Sequence, residues 1–348
     1  MPSLFTSHSS GLAAIFADIE NHAASQGQAP LSTPGSVLER SNARGFRFYA
    51  LQRYGPDGRR AESYLAGPVG DEKAEGAVRE ARGRIADARA AIDSLRLLIR
   101  EGFAAMGPKP YAVVAAIANG GIFSAGGVLV GTYAFAVIAN RLGIRTVSFG
   151  TEDIDVARPS RLVVAGLPEG GFLELIRRSG VDFVTVPNLD PRDPPIKFKE
   201  KGRSRFTVDL LAPGGGKEPA IRAVPELKAH AKALPGLRYL VAESQPGTVI
   251  SRIGCAAVRV PLPERMALHK MFVAQVRTGR PQKSEKDLRQ AATLAAALAD
   301  KQPGSISEAF ERVPASARAP IRRSIADVLP LLAEHPRAVE ELRALGKA

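Results

Sequence analysis

The chain contains a single cysteine, Cys255, so no disulfide can form within it. The first 25 residues contain no lysine or arginine, which a secretory signal would place before its apolar segment. No apolar run approaches the roughly 18 residues that a membrane-spanning helix needs. Internal repeats and low-complexity tracts are also absent. Together these absences predict a globular protein of the cytoplasm with no membrane segment.

The composition is that of a folded protein with an excess of positive charge. The 348 residues are 45% hydrophobic, which allows a sizeable core and two or three domains. Lysine and arginine number 48 against 35 acidic residues, a formal net charge of +13. Such an excess favours acidic partners, namely nucleic acid, nucleotides or an anionic surface. A proteome that is basic throughout would give the same balance.

The sequence pattern divides the chain into three segments. Residues 1–107 are predicted to hold a leader of about 45 residues, loose apart from a short amphipathic helix over 12–22, then a β-hairpin over 46–65 and a long amphipathic helix over 71–105. Residues 108–261 alternate short apolar runs with helical stretches, including strand-like residues near 239–241. Residues 262–348 have the spacing of five helices, and we expect a helical bundle there.

The centre of the chain contains a strand that leads directly into a helix. Val128–Val130 is a short apolar run, and residues 133–142 have helical spacing. Gly131 and Thr132 lie at the junction, where we expect the threonine to cap the helix. Backbone N–H groups at a helix start are unpaired, and the helix dipole favours an anion there. The junction is therefore a candidate cradle for phosphate.

Three aspartates follow this junction. The segment DIDV at 153–156 alternates as a strand does, which places Asp153 and Asp155 on one face and the aliphatic side chains on the core face. Adjacent carboxylates repel unless a positive charge lies between them. Asp209 lies within a second apolar strand, where an unpaired carboxylate is costly. If the two strands are neighbours, three carboxylates converge, and hard divalent cations take such ligands.

This pattern resembles the DNA polymerase β-type nucleotidyltransferase superfamily, which has a Gly-[Gly/Ser/Thr] turn, an Asp-x-Asp pair and a third acidic residue on a neighbouring strand. The resemblance implies an α/β (α+β) fold, with a small mixed sheet and flanking helices. It implies that Asp153 and Asp155 hold two Mg²⁺ ions, or Mn²⁺ in their place. By the same resemblance Asp209 would hold the catalytic ion, and Gly131 with Thr132 would bind the phosphates of an NTP.

The segments around residues 268–271 and 286–288 are similar to helices of abortive-infection-type nucleotidyltransferase toxins, in a bacterial branch of the superfamily. Lys270 is the candidate that would contact the triphosphate or the base, and Lys286 is a second candidate. Lys270 could equally be a lysine at the rim of a helix pair. Asp287 could simply pair with Arg277.

The resemblance implies transfer of an NMP from an NTP to a hydroxyl of an RNA, for example a tRNA-like molecule, or of a protein. A toxin that uses the same chemistry and has an antitoxin partner is an alternative. A non-catalytic RNA- or nucleotide-binding protein is another. The basic segment 197–206, with Phe198 and Phe206, suits single-stranded RNA. Its alternative is a hairpin with a solvated tip and core-facing phenylalanines.

Overall fold

The computed structural model describes residues 3–164, 166–188, 190–215, 219–277 and 281–347. The N-terminal segment is more ordered than the sequence suggests. Its elements are β1 (Phe5–Ser7), α1 (Ser10–Ser25), β2 (Ser36–Ser41), β3 (Arg47–Tyr54), β4 (Arg60–Ala66) and α2 (Glu72–Arg100). The short helix expected over 12–22 is observed as α1, whereas the expectation that the rest of the leader is loose is wrong where β1 and β2 form. It failed because β1 is held by a distant strand and β2 joins the expected hairpin as a third antiparallel strand.

The long helix is confirmed, and Asp71 caps it by accepting a hydrogen bond from the N–H of Ala74 at 3.1 Å. Its apolar stripe packs with α1 and with Ile250 and Cys255 of the next segment. Burial raises the pKa of the Cys255 thiol to about 12, so this cysteine is an unreactive core residue. The N-terminal segment thus rests on the segment that follows it, although the boundary at residue 107 stays a prediction.

The middle segment contains α3 (Pro108–Asn119), β5 (Val128–Val130), α4 (Gly131–Arg141), β6 (Ile144–Thr146), β7 (Asp153–Ala157), α5 (Gly171–Arg177), β8 (Phe183–Val186), β9 (Lys197–Glu200), β10 (Thr207–Pro213), β11 (Ala220–Val224), β12 (Ala229–Leu234), α6 (Leu237–Val241), β13 (Ser244–Ser251) and β14 (Gly254–Pro261). Residues 239–241 are helical, so the strand expected there is wrong. A short apolar run does not distinguish the two states, and here Gly236 at φ 74° starts a helical turn.

One mixed sheet organises this segment, with strand order β11-β12-β10-β7-β5, while β9 pairs with both β10 and β8. Strands β7 and β10 are parallel, and β5 is antiparallel to β7. The core face of β7 carries Ile154 and Val156, which are 0% and 1% exposed. The small mixed sheet with flanking helices is therefore confirmed, and so is the alternation predicted for β7.

The last segment is the expected helical bundle: α7 (Pro263–Val276), α8 (Pro281–Lys301), α9 (Ser305–Glu311), α10 (Ala315–Val328) and α11 (Pro336–Lys347). Helices α7 and α8 pack closely, and their buried residues share a core with α10 and α11. Among the described residues, no helix combines the length and apolarity that crossing a membrane requires.

Candidate active site

The three aspartates lie on neighbouring strands. In the parallel register of β7 and β10, Asp209 lies directly opposite Asp155, and Thr207 lies opposite Asp153. Residues opposite each other in register point to the same face of a sheet. The Thr207 hydroxyl donates a hydrogen bond of 2.8 Å to Asp153 Oδ1 and so orients that carboxylate. The expected grouping of Asp153, Asp155 and Asp209 on adjacent strands is thus observed.

Burial first, and then the charge of neighbouring carboxylates, raises the pKa of Asp155 and of Asp209. Burial raises the pKa of Asp155 to about 7, with further increases from the charges of Asp209 and Asp153, while Lys270 and Lys283 act in the opposite direction. Burial also raises the pKa of Asp209, and Lys197 opposes that increase. A set of like charges held together in a partly closed site is unfavourable without cations. The site is therefore built to receive positive charge.

Two lysines that sequence reasoning missed supply part of that charge. Lys283 Nζ lies 3.6 Å from Asp153 Oδ2, and Lys197 Nζ lies 3.7 Å from Asp209 Oδ2. Lys197 is the register partner of Asp209 across β9 and β10. Lys283 lies on the same face of α8 as Asp287, one turn away, so helical spacing could have indicated it. The position of Lys197 depends on strand pairing, which no local pattern specifies.

The junction at Gly131 lies against Asp155. Val130, the last residue of β5, is the register partner of Asp155. Gly131 has a φ of 72°, and a Cβ at this position would lie 2.4 Å from Asp155 Oδ2. The capping role expected of Thr132 is wrong: α4 begins at Gly131, and its cap residue Val130 makes no side-chain hydrogen bond. Gly131, at positive φ, begins the helix one residue before the expected cap, Thr132. The cap position therefore falls on Val130, whose side chain cannot accept a hydrogen bond from the first N–H groups of α4.

We expect Gly131→Ala to lose most of the nucleotide transfer that the resemblance implies, because its Cβ displaces the Asp155 carboxylate. The left-handed backbone adds a cost of about 1–3 kcal/mol in unfolding free energy. Gly143→Ala is the matched control, since Gly143 lies near the other end of α4, also has positive φ (64°), and has open space around its Cβ position. Transfer rates and urea unfolding of both variants measure the effect. Equal activity in the two variants would refute the close approach to Asp155.

Lys270 and Lys286 are both engaged by other groups. Lys270 Nζ bonds Asp287 Oδ1 at 2.6 Å, and both side chains are buried. Arg277 Nη1 lies 3.2 Å from the other oxygen of Asp287, so this aspartate pairs with two cations rather than with Arg277 alone. Lys286 Nζ donates to the carbonyl of Gly150 at 2.9 Å, and burial lowers its pKa. Lys270 acts electrostatically on Asp155, whereas Lys286 secures the chain before β7.

The donor set fits a divalent cation. Asp209 Oδ1 is buried and has no hydrogen-bond partner in the part of the chain that the structure describes. Three carboxylates on one face, one with a pKa near 7, offer the hard oxygen ligands that Mg²⁺ prefers. Among the residues that the structure describes, no three His, Cys, Asp or Glu side chains are grouped so that they could already hold a metal ion. Lys283 and Lys197 contact two of the carboxylates here.

The basic segment before Asp209 does not present stackable rings. Phe198 and Phe206 are only 4% and 7% exposed and contribute to the core. The hairpin interpretation is therefore correct for the phenylalanines, and their proposed stacking on RNA is wrong. Alternation along β9 explains it, since Phe198 points inward while Lys197 and Lys199 point outward.

The mixed sheet brings an Asp-x-Asp pair and a third aspartate together beside a helix start that no side chain caps. A family model described as "Nucleotidyltransferase" matches residues 109–314, which is more than half of the chain. The chain belongs to this nucleotidyltransferase family. No curated protein and no solved structure matches it. The kinship with the abortive-infection branch stays a prediction.

Proposed function

We propose that the protein transfers an NMP from an NTP to a hydroxyl group, with a divalent cation bound by Asp153, Asp155 and Asp209. The observation that carries this proposal is the register of β7 and β10, which sets Asp209 opposite Asp155 beside the start of α4. Mg²⁺ or Mn²⁺, when bound, would neutralise charge on the phosphates and polarise the phosphorus that is attacked.

The side chains then have distinct tasks. In this proposal Asp209 accepts the proton of the attacking hydroxyl through Oδ1, which is buried and has no hydrogen-bond partner among the described residues. The N–H groups of Gly131 and Thr132, which no side chain caps, then donate to the β- and γ-phosphates, and the dipole of α4 also favours these anions. Lys283 provides a half-exposed cation at the edge of the site. In-line displacement needs mainly this positioning and charge neutralisation.

The function is tested by incubating the purified protein with each labelled NTP, Mg²⁺ and either total cell RNA or a protein lysate. Label should enter one of the two acceptor pools, and an Asp209→Asn variant should leave both unlabelled. Absence of label from every pool with every NTP, under Mg²⁺ or Mn²⁺, would overturn the proposal. The labelled pool identifies the class of acceptor.

We expect Lys283→Gln to weaken NTP binding, because Lys283 can exchange its contact with Asp153 for the triphosphate once a cation is bound. A charge-assisted hydrogen bond contributes about 1.5–3 kcal/mol, which corresponds to a Kd or KM raised roughly 10- to 150-fold. Lys301→Gln, at the far end of α8, is the control. If Lys283→Gln binds NTP as tightly as the control, Lys283 serves only to neutralise Asp153.

A further inference from the structure

The three-stranded sheet of β2, β3 and β4 packs against α2 on one face, and exposed aromatic side chains lie on the other. Its inner face is fixed by Tyr49, whose hydroxyl donates to Glu75 Oε1 of α2 at 2.6 Å. Since side chains alternate along a strand, Phe48, Ala50 and Tyr54 point to the other side. Register places Tyr64 of β4 on that same outer face, opposite Ala50.

The outer face carries a cluster of aromatic rings. Phe46, Tyr54 and Tyr64 are 43%, 45% and 61% exposed, and the other large apolar side chains with comparable exposure in the described chain are valines elsewhere. Phe46 stacks on Phe48 with ring centroids 6.3 Å apart, and Phe48 lies 5.6 Å from Tyr64. Exposure of large rings to water is unfavourable, and a group of exposed rings typically marks a surface that binds a partner. The fold does not require them, because α2 already covers the inner face.

Arginines surround these rings. Of the six arginines in residues 36–66, Arg40 and Arg60 lie on the outer face, since their register partners on β3 are Phe48 and Tyr54. Glu62 is shared by Arg40 and Arg60, whose guanidinium nitrogens lie 2.8 Å and 3.4 Å from its Oε1. Arg40 lies on β2 and Glu62 on β4, so their bond crosses over Ala50, which is only 3% exposed as a result. Arg44, in the turn just before Phe46, has no acidic partner among the described residues. The net charge beside the rings is therefore positive.

We propose that this outer face binds single-stranded RNA, and that the RNA presents its hydroxyl to the carboxylate site. Bases stack on exposed rings, and arginines pair with the phosphates that lie between the bases. Tyr64, Phe46 and Tyr54 supply the rings, and Arg44 and Arg60 supply the charge. Charge complementarity favours RNA over a protein partner, because Arg40 and Arg60 share the one carboxylate of Glu62 and leave an excess of positive charge. The acceptor role rests on the proposed function, whereas RNA binding does not.

The test is fluorescence anisotropy with a labelled, unstructured RNA of about 12 nucleotides, a length within the range that single-strand binding surfaces cover. We expect Tyr64→Ala and Phe46→Ala each to weaken binding by about 5- to 150-fold, the usual cost of losing one stacked base. Tyr64→Phe keeps the ring and should bind almost as the wild type does. Arg44→Gln should lower the slope of log K against log salt by about 0.7.

Val163→Ala is the control for loss of exposed apolar surface, because Val163 is 87% exposed and lies outside this sheet. Thermal unfolding of each variant verifies that the sheet is intact. If the Tyr64→Ala and Phe46→Ala variants bind RNA like the control, the inference is overturned. It is also overturned if sedimentation shows a wild-type dimer that Tyr64→Ala dissociates while RNA affinity is unchanged, since the face would then bind a second copy.

Failure of this inference and failure of the proposed function give different results. RNA binding that depends on Tyr64 but is never accompanied by label transfer leaves the binding face standing and removes the transfer reaction. Label transfer that requires Asp209 but does not depend on Tyr64 or Phe46 leaves the reaction standing and removes the acceptor role of this face.

Discussion

Asp155→Asn is expected to abolish nucleotide transfer and, in metal-free buffer at pH 8, to raise the free energy of unfolding. The two effects have one cause. The ionised Asp155 is unfavourable beside Asp209 and Asp153 until a cation is bound. Removal of a preorganised charge contact at the reacting phosphate typically costs 10³-fold or more in rate, on the order of 4 kcal/mol. The neutral amide keeps the shape of the side chain and removes the repulsion.

The pH dependence follows from the raised pKa. Burial moves the pKa of Asp155 from 3.8 to about 7, so between these values the folded protein keeps a proton that the unfolded chain has released. Stability from this group is therefore complete below pH 4 and is lost as the pH rises through 7. The loss amounts to at most about 4 kcal/mol, since each pKa unit corresponds to 1.36 kcal/mol. An asparagine side chain does not ionise, so the free energy of unfolding of Asp155→Asn should not fall in this way as the pH rises.

Urea unfolding in EDTA at several pH values measures the difference between the variant and the wild type. Asp93→Asn, which changes an exposed carboxylate on α2, should show almost none of this difference. Stabilisation by Mg²⁺ with NTP, which follows from binding to the folded state alone, should shrink in Asp155→Asn. Wild-type transfer by Asp155→Asn would show that Asp155 lies outside the reaction.

The local pattern was sufficient to predict the carboxylate strands. A strand repeats every two residues, so DIDV at 153–156 specified which side chains point to the core and which share the open face. Asp209 could be predicted as a site residue because burying a carboxylate within an apolar strand costs free energy unless it is paired with a cation. Helical spacing likewise predicted the C-terminal bundle, whose helices are long enough to show their period.

The features that could not be predicted depend on distant parts of the chain or on a single backbone angle. β1 has only three residues and exists because it pairs with β6, more than a hundred residues later. Lys197 reaches Asp209 only because β9 turns back against β10. Threonine is a residue type that favours the helix cap, but the helix already begins at Gly131, which has a positive φ. The burial of Phe198 and Phe206 likewise depends on how the strands of the sheet pair, which the local sequence does not specify.

The buried pair of Lys270 and Asp287 should be the largest single determinant of the packing between α7 and α8. The side chains of Lys270 and Asp287 are 10% and 5% exposed, and their Nζ to Oδ1 distance is 2.6 Å. Asp287→Ala leaves the Lys270 ammonium buried without its partner, and removal of one member of such a pair costs about 3–5 kcal/mol. Lys270→Met should cost less, because Arg277 continues to neutralise Asp287.

Urea unfolding of Asp287→Ala, Lys270→Met and the double variant Lys270→Met/Asp287→Leu separates these contributions. The double variant should recover part of the loss, since it leaves no unpaired charge in the interior. Glu285→Ala is the matched control on the same helix, because it breaks the exposed ion pair with Arg289 and should cost less than about 1 kcal/mol. If Asp287→Ala costs no more than Glu285→Ala, the pair does not hold the helices together, and Lys270 is then free to leave Asp287 for the triphosphate.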